Sequence, residues 1–160
     1  MKNFIFVFSL FAIFLTVNAA QFQLNKRAAT FQRCPADNYK YDLLTVAMHP
    51  DPLISNETAQ FNVSGTLTKN DITLDKTVLR ISFADMKHLP PISDPYFKTF
   101  NKSYAAGTPF SIYASDVSVP TLPDLYHIIV VVGVPTDNPN ITFDIYGCAF
   151  ASVGSAVSFK

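Results

Sequence analysis

Ala59-Gln60-Phe61-Asn62-Val63-Ser64-Gly65-Thr66-Leu67-Thr68 alternates without a break: Ala, Phe, Val, Gly and Leu at odd positions, Gln, Asn, Ser, Thr and Thr at even ones. Successive side chains of an extended chain point to opposite faces, so a period of two builds one dry and one wet face, as in a half-buried strand. The pattern recurs along the chain. Leu79, Ile81 and Phe83 alternate with Arg80 and Ser82, Phe110, Ile112 and Ala114 with Ser111 and Ser115, and Ile141, Phe143 and Ile145 with Thr142, Asp144 and Tyr146. Residues 126–134 are apolar on both faces, which suits a central strand covered on each side or one running from one environment into another. Residues 41–48 read as a further strand, stopped by Pro50-Asp51-Pro52 because proline cannot donate into a ladder. Thr136-Asp137-Asn138-Pro139 reads as a turn. Six or seven strands with turn signals at short intervals predict an all-β fold, an immunoglobulin-like antiparallel β-sandwich of two sheets. The immunoglobulin tryptophan signature is missing, since the chain has no Trp. Between residues 86 and 108 the alternation loosens around Pro90, Pro91, Pro95, Tyr96, Phe97, Phe100 and Tyr104, where helical spacing and strand parity coincide and the conformation stays open.

The ends of the chain speak to its route. Lys2, an apolar run over residues 4–17 and a small-residue site at Val17-Asn18-Ala19 or Asn18-Ala19-Ala20 predict a signal peptide over residues 1–20. Lys26-Arg27 reads as a dibasic processing site that closes a propeptide over residues 21–27. A single domain over residues 28–160 remains, about 130 residues, enough for one core and not for two. The full chain is balanced, 12 Lys and Arg against 12 Asp and Glu; leaving out Lys2, Lys26 and Arg27 makes the mature part net acidic. Such a balance argues against nucleic acid as a partner. The expected destination is the extracellular space or a vacuolar lumen. Cys34 and Cys148 are the only cysteines, and one pair in an exported chain is most simply one disulfide. Asn56, Asn62, Asn101 and Asn140 open four sequons, each of which requires a surface position.

No catalytic constellation is legible. His49, His88 and His127 are scattered outside any metal-ligand spacing, there is no nucleophile elbow or phosphate-binding glycine loop, and Asp42, Asp51, Asp85 and Asp94 suit turns and surface. The expectation is a protein that is not an enzyme and needs neither cofactor nor metal. What stands out is apolar: Phe61, Val63, Leu67, Leu79, Ile81, Phe83, Phe110, Ile112, Val130, Val132, Phe143 and Ile145 all fall on rows that a sandwich turns inward. Facing rows that interdigitate make a solid core, and the pattern by itself sides with that reading. Sheets that splay apart would make the same residues the wall of a dry cavity.

The order of motifs adds what composition cannot. Cys34, then Leu43-Leu44-Thr45-Val46, then Pro50-Asp51-Pro52 resembles the opening of the ML-domain lipid-recognition family. Phe61-Asn62-Val63-Ser64-Gly65-Thr66-Leu67 is similar to that family's second strand, and Val119-Pro120, Pro123, Tyr126 and Cys148-Ala149-Phe150 to its last hairpin. The resemblance runs from Cys34 to about Val157 and is to the fungal phosphatidylglycerol/phosphatidylinositol transfer and Niemann–Pick type C sterol-carrier branches. It implies an immunoglobulin-like sandwich whose twelve inward residues line a lipid cavity, no catalytic residues, and Cys34 bonded to Cys148 as the first and last family cysteines. The family's further cysteine pair, which belongs in the segment corresponding to residues 86–108, has no counterpart here. Tyr96, Phe97 and Phe100, with Lys98 and Lys102, are the expected cavity mouth; the excess of Lys87, Lys98 and Lys102 over Asp94 suits an anionic phospholipid. Solvated lysines and aromatics that cap the sandwich bottom are the plainer readings. The function implied is that of a secreted lipid-binding or lipid-transfer protein, monomeric and in transient contact with membranes, that holds a phospholipid or sterol between its sheets. The alternative is a secreted protein-recognition module or immune-modulating effector with a packed core.

Overall fold

The run around Phe61 becomes the middle strand of a sheet, and the doubly apolar run 126–134 becomes the centre of a second one. The computed structural model describes residues 28–35, 40–86, 91–138 and 141–154. They contain no helix and eight strands: β1 (Asp42–Leu43), β2 (Thr45–His49), β3 (Thr58–Thr66), β4 (Val78–Asp85), β5 (Tyr96–Thr99), β6 (Pro109–Ser118), β7 (Tyr126–Asn138) and β8 (Ile141–Val153). Five form one sheet in the order β1-β8-β7-β4-β5, and three form another in the order β2-β3-β6. The two pack face to face as a β-sandwich around a single buried apolar cluster.

Alternation decides the inner faces. β3 buries Ala59, Phe61 and Val63 and exposes Gln60 and Asn62; β6 buries Phe110, Ile112 and Ala114 between exposed neighbours. On the larger sheet, β4 pairs Leu79, Ile81 and Phe83 with Val132, Val130 and Ile128 of β7, and those six side chains face the smaller sheet.

Three departures from the sequence reading have physical causes. The strand expected over residues 41–48 is two strands: β1 runs parallel to β8, while β2 runs antiparallel to β3. The chain changes sheets at buried Leu44, and because Leu44, Val46 and Met48 all keep facing the core, the alternation passes through the switch unbroken. β7 runs on through Asn138, which pairs with Ile141, so Thr136, Asp137 and Asn138 of the expected turn belong to the strand. The third departure is in β8. Val132 pairs with Gly147, but the next residue, Gly133, pairs with Ile145, leaving Tyr146 as the extra residue of a bulge. One extra residue transfers every preceding side chain to the other face. Ala149 and Ala151 therefore point inward, whereas Phe143 and Ile145, expected on the cavity wall, lie on the outer face and outside the buried cluster.

Cys34 and Cys148 are bonded, with Cα atoms 5.9 Å apart and a sequence separation of 114. Beside them Gln32 and Phe150 exchange two backbone hydrogen bonds of 2.8 Å, which extends the β8 edge beyond β1. A disulfide is compatible with an extracellular protein. No helix among the described residues is long and apolar enough to cross a membrane. The expected signal peptide and propeptide, Lys87, His88 and Asn140 lie outside the described residues.

Candidate functional site

Ten of the twelve residues expected to face inward meet between the sheets: Phe61, Val63, Leu67, Leu79, Ile81, Phe83, Phe110, Ile112, Val130 and Val132 belong to one buried cluster. The β8 wall is thin, because Ala149 and Ala151 stand opposite Val130 and Ile128. One end is plugged by three rings in edge-to-face contact, Phe100, Tyr104 and Phe110, with centroids 5.6 to 6.5 Å apart. Near it Leu44 passes so close to β8 that a Cβ on Gly147 would stand 2.7 Å from Leu44 Cδ2 and 3.0 Å from Leu67 Cδ2. A side chain there would push the ends of Leu44 and Leu67 aside.

The opposite end is built by loops 50–57 and 119–125, joined where Asn56 N–H donates to the Val119 carbonyl and Leu122 N–H to Ser55 Oγ. Here Tyr126 opens β7 with its ring in the apolar cluster at 0 % exposure, and its hydroxyl is buried without a hydrogen-bond partner. Burial, and then the charge of Asp51, push its pKa up to about 12, so the phenol stays protonated and remains a donor. A buried hydroxyl in this condition is uncommon, since buried polar groups are almost always paired.

The flanks differ. On one, the chain itself ties the sheets together at Leu44. On the other, Tyr96 of β5 donates from Oη to Asp116 Oδ1 of β6 at 2.7 Å, a side-chain clasp between the two sheets. Burial, the hydrogen bond and the charge of Asp116, in that order, raise the Tyr96 pKa to about 12.

The expected mouth is thereby divided. Phe97 pairs with Arg80 and stands 52 % exposed on the outer face of the larger sheet. Lys98 is half-buried opposite Leu79. Lys102 is exposed, with its ammonium 5.3 Å above the Tyr104 ring. Phe100, at 2 % exposure, is part of the plug and not of a rim. The segment alternates as a strand from Tyr96 to Phe100, whose N–H donates to the Thr77 carbonyl, so Phe100 falls on the inward row; coincident helical and strand spacing concealed this.

Asn56, Asn62 and Asn101 are all exposed. Asn56 adopts a left-handed conformation (φ 64°) and accepts from Thr121 Oγ1 at 2.8 Å, while Asn62 accepts from Ser111 Oγ at 2.9 Å. Among the described residues no three His, Cys, Asp or Glu side chains gather as a metal site. His49 is exposed; His127 lies 4.6 Å from the Phe150 ring and 3.1 Å (Nδ1) from Ser152 Oγ, its pKa lowered by burial.

Sequence reading missed a groove on the outer face of the larger sheet. Arg80, Ser82, Phe83, Ala84, Pro91, Ile129, Val131 and Ile145 surround a volume of about 230 Å³ there. Its signal was present in the second apolar face of residues 126–134, once the β8 bulge adds Ile145. Comparison with protein-family models and with curated protein sequences finds no match to this chain.

Proposed function

We propose that this protein is a secreted, non-enzymatic carrier that binds one phospholipid or sterol between its two sheets, in the manner of the ML-domain family that its motif order resembles. The observation that carries the reading is the interior: an unbroken apolar cluster spanning both sheets, with the unpaired donor hydroxyl of Tyr126 at one end. Hydrocarbon placed there is removed from water at about 0.8 kcal/mol per methylene, and an acceptor oxygen of the ligand supplies the partner that the phenol lacks. The Tyr96–Asp116 bond clasps the flank between β5 and β6 through side chains alone, so that edge is where the sheets part with least disruption to admit a ligand. Export through the secretory pathway and glycosylation at exposed Asn56, Asn62 and Asn101 belong to the same proposal.

An organic extract of the purified, exported protein, analysed by mass spectrometry, tests the reading: stoichiometric co-purifying lipid is expected, and protein free of lipid supports the recognition module. Val130→Phe provides a second arm. In a wall beside ligand space it reduces lipid uptake and leaves stability similar, whereas in a filled core it overpacks and costs about 1–3 kcal/mol. Destabilisation together with a lipid-free extract overturns the proposal.

A further inference from the structure

We propose that the groove on the outer face of the five-stranded sheet is a second, separate binding site, for a single-chain carboxylate of medium length. The groove faces away from the interior, because Arg80, Ser82, Ile129 and Val131 alternate with the inward Ile81, Val130 and Val132 on the same strands. Its floor is Ile129, Val131 and Ile145, and Pro91 forms a rim where it bridges to Ala84 at the β4 edge. Among the described residues that line the groove, the single charge is Arg80. Its Nε donates to Ser82 Oγ at 3.2 Å, and its guanidinium carbon lies 5.9 Å from the centre of the Phe143 ring.

These contacts orient the guanidinium without neutralising it, and no carboxylate among the described residues pairs with it. The two terminal nitrogens of Arg80 remain as a planar fork, the geometry that matches a carboxylate with two parallel hydrogen bonds. Ser82, 7 % exposed, uses its oxygen to accept from Arg80 and keeps its own proton to donate. Charge thus selects an anion, and the apolar floor selects one with a hydrocarbon tail.

Volume sets the length. At about 30 Å³ for each water-sized unit, 230 Å³ holds roughly seven or eight methylene-sized groups, one short chain and not a two-chain lipid. The described sequons also leave the face clear: Asn62 is on the three-stranded sheet, and Asn56 and Asn101 are in loops at opposite ends of the sandwich.

Titration of the intact exported protein with octanoate, octanol and octylammonium, followed by calorimetry and by backbone amide shifts, tests the site. Octanoate is expected to bind saturably and to move the amides of Arg80, Ser82, Ile129 and Val131, with octanol on the order of tenfold weaker and octylammonium weaker still. Arg80→Gln is expected to lower octanoate affinity on the order of tenfold without changing that for octanol. Ile145→Asp, which keeps Arg80 but sets a like charge against the ligand, removes binding. Tyr126→Phe, on the opposite face, leaves it unchanged, so failure here is separable from failure of the interior reading. Equal affinity for octanol and octanoate, octanoate binding that survives Arg80→Gln, or no saturable octanoate binding at all overturns the proposal.

Discussion

Tyr126→Phe is expected to make the lipid-free protein more stable, although it removes a polar atom from a buried residue. The ring is fully buried and its hydroxyl has no partner, so in the folded state the oxygen gives up the hydrogen bonds to water that it keeps in the unfolded chain. Leaving such a group unsatisfied costs about 1–3 kcal/mol, and phenylalanine occupies the same ring position without it. Unfolding entropy near 2.1 cal/mol/K per residue over about 130 residues amounts to roughly 0.27 kcal/mol/K, so a gain of about 2 kcal/mol raises Tm by about 7 °C. Urea unfolding of delipidated wild type and variant at pH 7 provides the measurement: the midpoint should rise with the slope unchanged. Alkaline titration provides a signature of its own. The folded pKa of about 12 lies above the ordinary value of 10, so this group's contribution is fully present below pH 10 and is lost as pH rises towards 12; the variant lacks that loss. On the proposed carrier reading the gain should also vanish when lipid is added, because the wild-type hydroxyl would then have an acceptor. A lower midpoint for the delipidated variant would refute the reasoning, since it would mean that the hydroxyl is paired without ligand.

Replacing Cys34 and Cys148 by Ala should remove up to about 4.8 kcal/mol, the chain-entropy value for a loop of 114 residues, read as the difference between urea midpoints of the double variant and the oxidised protein. Phe100→Asp should unfold the protein or destabilise it by more than 3 kcal/mol, since it buries a charge in the ring plug, whereas Phe97→Asp on the exposed outer face should shift the thermal midpoint little. Equal effects at the two positions would contradict the inside and outside assignment of β5 and its exit. His127 has a folded pKa below 6.5, so its contribution is intact above pH 6.5 and declines as pH falls below that value; His127→Asn should flatten stability across the interval from pH 6.5 to 5.

Wherever one face of a strand is wet, the fold was legible in residues: the alternation at Phe61, Leu79 and Phe110 named the inward rows correctly. It failed where parity alone carries no information. Leu44 is inward in either sheet, so nothing in Leu44, Val46 and Met48 announces that the chain changes partners there. Tyr146 looks like any outward residue, yet as the bulge it sends Ile145 and Phe143 to the opposite face, a pairing event set by β7 and invisible in β8 alone. Of the candidate site, the apolar walls could be read and their closure could not. The plug depends on Phe100 meeting Tyr104 and Phe110, and the flank on Tyr96 reaching Asp116 across twenty residues; both are tertiary contacts that no local pattern encodes.

The Cys34–Cys148 bond also fixes the path that tension takes through the molecule. A pull applied between Ala28 and Gly154 runs along the chain to one sulfur, across the bond and out along the end of β8, and only residues 28–34 and 148–154 lie on that line. The residues between the two sulfurs are held out of it, and with them the whole three-stranded sheet and strands β1, β4, β5 and β7, while the loaded end of β8 carries Ala149, Ala151 and Val153 of the buried cluster. Shear or tethering at the chain ends therefore loads the Gln32–Phe150 bridge and the pairing of the β8 end with β7 first. Reduction reverses this at once, adding a slack length of roughly 400 Å at about 3.5 Å per residue and passing the load from one covalent link to the ladders of β7 and β8. Oxidation state thus decides whether the strands between the two cysteines bear force.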